Sequence, residues 1–139
     1  MAVEDIGMAD PNALIVTMNA WEAYERMGSP EGELALSQGL IYVATAPKSN
    51  ANYIAYSTAR TAAREHGSLM PPKHILNAPT DMMKDQGYGE GYIYDHDMAD
   101  GFSGQNYFPD MMVRTRFYTP VERGFERDIL KRMDYWAAL

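Results

Sequence analysis

The sequence predicts a mostly α-helical fold, because helix start and stop signals alternate along the chain. Three start signals pair a capping side chain with a proline at the first helical position, namely Asp10-Pro11, Ser29-Pro30 and Thr119-Pro120. Glycines follow the predicted helix ends, and apolar residues recur at helical spacing between the signals. The 139 residues fit one domain that is large enough to bury a core. We therefore predict a single helical domain over residues 1–139.

Two helices are predicted in the first third of the chain. The first begins after Asp10-Pro11 and ends at Gly28. Its apolar positions at helical spacing are Leu14, Met18 and Trp21. The second helix runs from Ser29-Pro30 to about Ala46 and carries almost no charge after Glu33. A helix that is apolar all round is usually buried, so we expect the second helix at the centre of a bundle.

A third helix is predicted from Asn50 to His66, with Ser49 as its cap and Gly67 after its end. One stripe of this helix consists of small residues, which let two helix axes approach closely: Ala51, Ala55, Thr58 and Ala62. Tyr53 and Tyr56 lie on its other faces. These two tyrosines fit the edge of a core and a contact between subunits equally well.

Two short helices and one long helix are predicted further along the chain. The short helices cover residues 73–77 and 81–86, and Thr80 caps the second of them. The last helix is predicted to begin at Thr119-Pro120, because Thr119 and Glu122 fit a capping box. Its predicted apolar face consists of Val121, Phe125, Ile129, Met133 and Trp136.

The stretch from Gly87 to Pro109 reads GYGEGYIYDHDMADGFSGQNYFP and shows no convincing helix. Its glycines do not fit a dinucleotide site, since Tyr92 stands where the fingerprint needs a third glycine. A P-loop is excluded as well, because the Lys48-Ser49 pair follows a proline that has no N–H to offer a phosphate. A loop of this length should be functional, packed on its own aromatics or part of an interface.

Aromatic residues make this loop a candidate assembly or structural element. Tyrosines bury their rings while their hydroxyls satisfy backbone groups. We expect an ordered Ω-like segment that packs on the helices or across a subunit boundary, so that Tyr92→Ala or Tyr107→Ala costs stability or assembly. With the two tyrosines of the third helix, the candidate residues are Tyr53, Tyr56, Tyr92, Tyr94, Phe102, Tyr107 and Phe108.

The run Asp95-His96-Asp97 in the loop is the candidate metal site. It fails the EF-hand pattern, because Gly101 comes one residue late and Asn106 stands where the bidentate glutamate belongs. A zinc site would need His66 or His74 to join this run, and no ligand spacing supports that. A metal-dependent enzyme centred on this run is our third hypothesis, and we assign no catalytic, cofactor-binding or metal-binding residue.

The net charge of −7 argues against a domain that wraps DNA, since phosphate contacts require a basic face. The candidate basic patch is Arg123, Arg127 and Lys131, within a longer run that includes Arg114, Arg116 and Arg132. A solvated helix face is the simpler explanation of this run, and a DNA-binding patch is the alternative. The absence of cysteine and of long apolar runs, with acids near the N-terminus, fits a cytoplasmic protein without a secretory leader.

Five sequence blocks together resemble one protein family. They are EDIGMADPNAL (4–14), SPEGELALSQGLIYVATAPKSNANY (29–53), NAPTDMMKDQGYGEGYIYDHD (77–97), QNYFP (105–109) and FYTPVERGFE (117–126). In this order, and over essentially its whole length, the chain is similar to the C-terminal part of the replication-associated recombination protein A family. These AAA ATPases are also called maintenance-of-genome-stability proteins, and their eukaryotic relative is the Werner-helicase-interacting ATPase.

The resemblance implies a helical bundle like the clamp-loader collar, which assembles the ATPase into a homotetramer. It also implies that the AAA module, with its ATP and Mg²⁺ sites, is absent from this chain, so that this fragment is not an enzyme. The whole protein is implied to be a DNA-dependent ATPase of the nucleoid that acts with DNA and replication proteins at stalled forks, away from membranes. Our leading hypothesis is therefore an oligomerisation domain, and a module that binds DNA or a replication partner is the second.

Overall fold

The computed structural model describes residues 1–139 and contains five α-helices and no β-strand. The helices are α1 (Asn12–Met27), α2 (Glu31–Thr45), α3 (Ala51–His66), α4 (Asp81–Asp85) and α5 (Glu126–Ala138). A π-helical turn and three 3-10 turns complete the helical content at Ala2–Ile6, Gly7–Ala9, Lys73–Ile75 and Asp95–Asp97. The predicted mostly α fold is therefore confirmed. None of these helices is long and apolar enough to cross a membrane.

Internal contacts divide the chain into two compact units. Unit 1 contains residues 1–60 and 117–135, and unit 2 contains residues 61–116 and 136–139. Buried residues concentrate in unit 1, whereas Pro72 is the one buried residue of unit 2. The single domain over residues 1–139 stays a prediction.

The local start signals of three helices work as the sequence predicts. The N–H of Asn12 donates to Asp10 Oδ1 at 3.1 Å at the start of α1. The N–H of Ala51 donates to the buried hydroxyl of Ser49 at 3.2 Å at the start of α3. Thr80 caps α4 in the same way, with its hydroxyl oxygen 3.3 Å from the nitrogen of Met83. These side chains satisfy N–H groups that have no partner inside the helix.

Helices α1 and α2 form a closely packed antiparallel pair in unit 1. The contact face is made of small residues, since a Cβ on Gly39 would come within 3.0 Å of the Cβ of Ala20. The buried core beside this contact consists of Ile6, Ala13 and Val43. The hydroxyl of Tyr42 on α2 donates to Asp10 Oδ2 at 2.7 Å, and this bond raises the pKa of Tyr42.

The prediction that α2 lies buried at the centre of a bundle is wrong for the single chain. Leu34 is 73% exposed, Leu40 70% and Ile41 62%. The reason is that α1 is the one α-helix that packs extensively along α2, so only one side of α2 is covered. The apolar stripe of α1, formed by Leu14, Met18 and Trp21, is exposed for the same reason.

The predicted start of the last helix at Thr119-Pro120 is also wrong, because α5 begins at Glu126. The N–H of Phe125 donates to the carbonyl oxygen of Ala9 at 2.8 Å, which joins this segment to the N-terminal turns. Gly124 has φ +51°, and a Cβ on it would lie only 2.0 Å from the same oxygen. A left-handed glycine held against Ala9 interrupts any helix that starts earlier.

The fully buried carboxylate of Glu126 holds the segment that precedes α5. It accepts the hydroxyl of Tyr118 at 2.7 Å and the N–H of Val121 at 3.1 Å. Burial raises the pKa of Tyr118, and the hydrogen bond to Glu126 raises it further, so the hydroxyl stays protonated and remains the donor. As the first residue of α5, Glu126 also lies where the helix dipole favours negative charge.

Candidate self-association surface

An apolar groove runs along one side of the α1 and α2 pair. Its floor is formed by Ala20, Leu36, Gly39 and Val43, and its rims are Trp21 and Leu40. The cavity measures about 350 Å³, and Met1, Ala2 and Thr17 complete its lining. No acidic or basic side chain lines it, and the terminal ammonium group of Met1 pairs with Asp5. We call this feature the α1–α2 groove.

A row of exposed apolar side chains stands beside the α1–α2 groove. Leu14, Met18 and Trp21 follow each other at spacings of four and three residues, which places them on one side of α1. They are 46%, 60% and 53% exposed, and Leu40 across the groove is 70% exposed. Four large apolar side chains on one continuous surface exceed the isolated hydrophobic residues that any monomer shows.

The sequence predicts the helical spacing of these residues, but it does not predict that they are exposed on one surface. The signal that could have shown it is the row of small residues on each helix. Ala13 and Ala20 are seven residues apart on α1, and Gly32 and Gly39 are seven apart on α2. All four are buried, because small residues allow two helix axes to approach closely. The large apolar residues therefore lie on the uncovered sides.

The predicted tyrosines of α3 are exposed and belong to unit 1. Tyr53 is 52% exposed and Tyr56 is 64% exposed. The small stripe on the same helix is only partly covered, with Ala51 buried and Thr58 exposed. Both tyrosines thus remain available for contact with another molecule.

The aromatic loop of unit 2 closes on itself through polar contacts. The side chain of Gln105 donates to the carbonyl of Gly91 at 2.7 Å and accepts the N–H of Ile93 at 3.0 Å. The N–H of Ser103 donates to Asp95 at 2.9 Å, and hydrogen bonding from Ser103 lowers the pKa of Asp95. These bonds join the two arms of the loop across its neck.

Ring contacts give the loop aromatics partners within unit 2. Tyr94 lies 5.0 Å from the ring of His96, Tyr107 lies 5.9 Å from His74, and Phe102 stacks on Trp136 at 6.2 Å. Phe102 and Phe108 are half-buried, whereas Tyr92, Tyr94 and Tyr107 keep about half of their surface exposed. The loop is an ordered segment with an exposed tyrosine surface.

We expect Gln105→Ala to loosen the neck of this loop, because one side chain supplies both bonds across it. The loss should be about 1–2 kcal/mol of local stability, as for two exposed hydrogen bonds. Faster amide hydrogen exchange at Ile93 would show it. Gln105→Glu keeps the acceptor and loses the donor, so it should show an intermediate exchange rate. Unchanged exchange in Gln105→Ala would contradict the role given to this side chain.

The candidate metal run lies in the 3-10 turn Asp95–Asp97. Asp95 already accepts from Ser103, and the His96 ring packs beside Tyr94. No group of three or more histidine, aspartate or glutamate side chains converges in the structure. The three residues are therefore neighbours in sequence without further ligands joining them.

The candidate basic patch lies in unit 1, and its cations are engaged locally. Arg123 donates to the carbonyl of Lys48 at 3.0 Å, and Arg127 donates to the carbonyl of Glu122 at 3.0 Å. Lys131 lies 3.5 Å from the carboxylate of Asp128. These exposed contacts are weak, but each of them places a carbonyl oxygen or a carboxylate beside a cation of the patch.

The remaining cations of the basic run are held in similar ways. The side chain of Arg132 lies over the Phe125 ring at 5.1 Å, and Arg114 in unit 2 donates to the carbonyl of Gly104 at 3.3 Å. Arg116 also interacts with a neighbouring group. The run forms no continuous row of unoccupied cations along one helix face.

The structure defines the class of the protein. It is all-helical, and its paired helices α1 and α2 expose large apolar side chains. The chain belongs to the MgsA AAA+ ATPase C-terminal family, whose model matches residues 1–137. This match confirms the family that the sequence blocks suggest.

Several curated proteins resemble the chain. It is 46% identical to the replication-associated recombination protein A of Coxiella burnetii, over 100% of the chain and 32% of that protein. It is 44% identical to the protein of the same name from Escherichia coli K12, over 99% of the chain and 31% of that protein. It is 40% identical to the ATPase WRNIP1 of Dictyostelium discoideum, over 85% of the chain and 14% of that protein. The chain thus spans about a third of the length of these bacterial relatives.

Proposed function

We propose that this domain joins copies of a AAA+ ATPase into a homo-oligomer, and that the oligomer is a tetramer. The observation that carries the proposal is the exposed apolar surface of the α1 and α2 pair. Exposed side chains on this pair include Trp21, Leu34, Leu40 and Ile41. Burial of apolar surface is the main driving force of protein association, and a contiguous exposed apolar patch is typical of an interaction site.

The total exposed area supports the same proposal. The chain exposes 10082 Å². Two separate folded units of the observed sizes would together expose about 8,700 Å² by the usual scaling with mass. The excess is about 1,400 Å², whereas a standard interface buries about 800 Å² on each partner. The chain therefore exposes more surface than folded units of this size usually do, by an amount similar to the area that a standard interface buries on one or two partners.

The activity of the whole protein is proposed from the relatives. We propose that the longer protein is a DNA-dependent ATPase that acts in replication, recombination and repair at stalled forks. ATP and Mg²⁺ then bind in its AAA module, and this domain itself carries no catalytic residue. We place the protein in the cytoplasm, associated with the nucleoid.

Self-association is tested by the mass of the isolated 139-residue chain in solution. Sedimentation equilibrium at concentrations from 1 to about 50 µM should give a mass above the 15.6 kDa of one chain, approaching four times that value. Dissociation constants in this micromolar range correspond to about 6–8 kcal/mol, which a standard interface supplies. A strictly monomeric mass at the highest concentration would overturn the proposal.

A module that binds DNA or a replication partner is the second candidate. Its support is the basic patch of Arg123, Arg127 and Lys131, whose cations already contact carbonyls or acids. The net charge of −7 also opposes contact with phosphates. Binding of single-stranded or forked DNA that weakens steeply with salt would favour this candidate, and no binding at low salt would remove its DNA version.

A further inference from the structure

We infer that unit 2 carries a docking site for a segment of another protein, one that presents a bulky apolar side chain flanked by lysines or arginines. The site is a pocket of about 460 Å³, which we call the unit 2 pocket. Its apolar lining consists of Leu69, Met70, Pro71, Leu76, Pro109 and Met111. All of these residues belong to unit 2, whereas α1 and α2 belong to unit 1, so the inference goes beyond the proposed self-association.

The size and lining of the unit 2 pocket are those of a binding site. Ligand pockets span about 300–1,000 Å³ and are mostly apolar, with a few polar groups that fix the orientation of what binds. The polar residues of this lining are Ser68, Lys73, Tyr88 and Asp110. Met70 is 65% exposed and Met111 is 84% exposed, so two apolar side chains lie at the pocket with most of their surface uncovered. Methionine side chains are flexible and adaptable, and they are used repeatedly on surfaces that bind protein segments.

Backbone hydrogen bonds fix the walls of the unit 2 pocket before anything binds. The N–H of Gly89 donates to the carbonyl of Lys73 at 2.8 Å, which joins the aromatic loop to the segment before α4. The N–H of Met112 donates to the carbonyl of Pro109 at 2.8 Å, which closes the turn that carries Met111. Two of the lining residues are prolines, whose fixed φ angle stiffens the backbone. A site that is formed in advance loses less conformational entropy on binding.

The charge of this part of the chain selects a basic partner. Residues 85–113 contain no lysine or arginine but six carboxylates, those of Asp85, Glu90, Asp95, Asp97, Asp100 and Asp110. Asp110 itself lines the pocket. A surface that carries one sign of charge attracts partners of the opposite sign and repels those of the same sign. Nucleic acid is therefore disfavoured as the occupant, and so is a second copy of a chain whose net charge is −7.

Lys73 is the one cation of the lining, and its charge is offset locally. Its ammonium group donates to the carbonyl of Gln86 at 2.9 Å. A carboxylate oxygen of Glu90 lies close to its stem, since a Cβ on Gly87 would be 3.1 Å from Glu90 Oε2 and 3.9 Å from Lys73 Cδ. With Lys73 balanced by Glu90, the carboxylate of Asp110 supplies the negative charge that pairs with a basic partner.

A labelled synthetic peptide tests the inference. The probe has one tryptophan at the centre of alternating leucine and lysine residues, and fluorescence anisotropy measures its binding to the unmodified chain. The dissociation constant should be about 1–100 µM and should rise severalfold as the ionic strength is raised from about 0.05 to 0.3 M. Two control peptides carry glutamates in place of the lysines, or alanines in place of the tryptophan and leucines. Each should bind at least about tenfold more weakly.

Met111→Lys places the site, with Val113→Lys as the matched control. The two side chains are 84% and 85% exposed and receive the same charge in the same segment, but Val113 is not part of the lining. Met111→Lys should weaken binding of the lysine peptide at least about tenfold, because it removes an apolar contact and adds a cation at the pocket. Val113→Lys should weaken binding less than about threefold, because an exposed charge away from the contact is screened. Circular dichroism checks that both variants are folded.

Methyl signals of the methionines give a second measurement, made on the unmodified chain by NMR. The signals of Met70 and Met111 should shift as the lysine peptide is added. Met82 lies in the same unit, is 64% exposed and does not line the pocket, so its signal should stay unchanged. This readout decides the matter if Met111→Lys fails to fold.

The outcomes decide both the place of the site and the chemistry of its occupant. Loss of binding in Met111→Lys with retention in Val113→Lys supports the inference. Equal losses in the two variants, or equal binding of the alanine peptide, would show diffuse attraction to an acidic chain and would overturn it. Equal binding of the glutamate peptide would overturn the choice of a basic partner. Shifts of the Met70 and Met111 signals by free indole, without binding of the lysine peptide, would mean that the pocket takes a small apolar molecule instead.

Discussion

Gly124→Ala should lower the free energy of unfolding of unit 1 by about 2–6 kcal/mol, the sum of a left-handed backbone cost and an overpacking cost. The added methyl group would sit 2.0 Å from the carbonyl oxygen of Ala9 and 2.8 Å from the ring of Pro47. Neither neighbour is the end of a flexible side chain, so the backbone must move. Movement there stretches the bond from the N–H of Phe125 to Ala9.

Urea unfolding followed by fluorescence measures this loss in a Trp136→Phe background, in which Trp21 of unit 1 is the sole tryptophan. Gly28→Ala is the matched control, since Gly28 belongs to the same unit, has φ +67° and has no atom within 4 Å of the added group. The control carries only the backbone cost of about 1–3 kcal/mol. Equal losses for the two variants would show that contact with Ala9 does not constrain Gly124.

Glu126→Ala should cost about 2–5 kcal/mol, because it leaves two donors without an acceptor at a fully buried position. The donors are the hydroxyl of Tyr118 and the N–H of Val121. Tyr118→Phe should cost only about 0.5–1.5 kcal/mol, since the other carboxylate oxygen still accepts from Val121. Glu122→Ala, four residues earlier and exposed, should stay within about 0.5 kcal/mol.

A double-mutant cycle isolates the bond between the two side chains. The loss in the Glu126→Ala, Tyr118→Phe double variant should fall short of the summed single losses by about 1 kcal/mol or more, because the residues are in contact. Free energies from urea unfolding give the four corners of the cycle. Additive losses would mean that the hydrogen bond between Tyr118 and Glu126 contributes nothing to stability.

Local signals in the sequence predicted the first three helices to within about a residue at each end. Asp10, Ser49 and Thr80 act on N–H groups two or three residues away, so their effect is visible in sequence alone. Gly28 ends α1 through its positive φ angle, which is again a local property. The family was evident because long blocks of sequence occur in order.

The aromatic loop was predicted in outline and not in its contacts. Its length and lack of helical spacing were enough to show irregular structure between Gly87 and Pro109. The pairing of Gln105 with Gly91 and Ile93 could not be predicted, because an amide side chain twelve or fourteen residues distant has many competing partners. Whether the predicted tyrosines take part in assembly stays a prediction.

The sequence by itself determined that the chain is helical, where its first helices begin and end, and which family it belongs to. The tertiary structure alone decided three further features: the late start of α5, the burial of Glu126 and the exposure of the large apolar residues of α1 and α2. The physical reason is the distance along the sequence over which each interaction acts. A cap or a terminal glycine acts within one helical turn, whereas burial and a blocked helix start depend on a partner such as Ala9 that lies more than a hundred residues away.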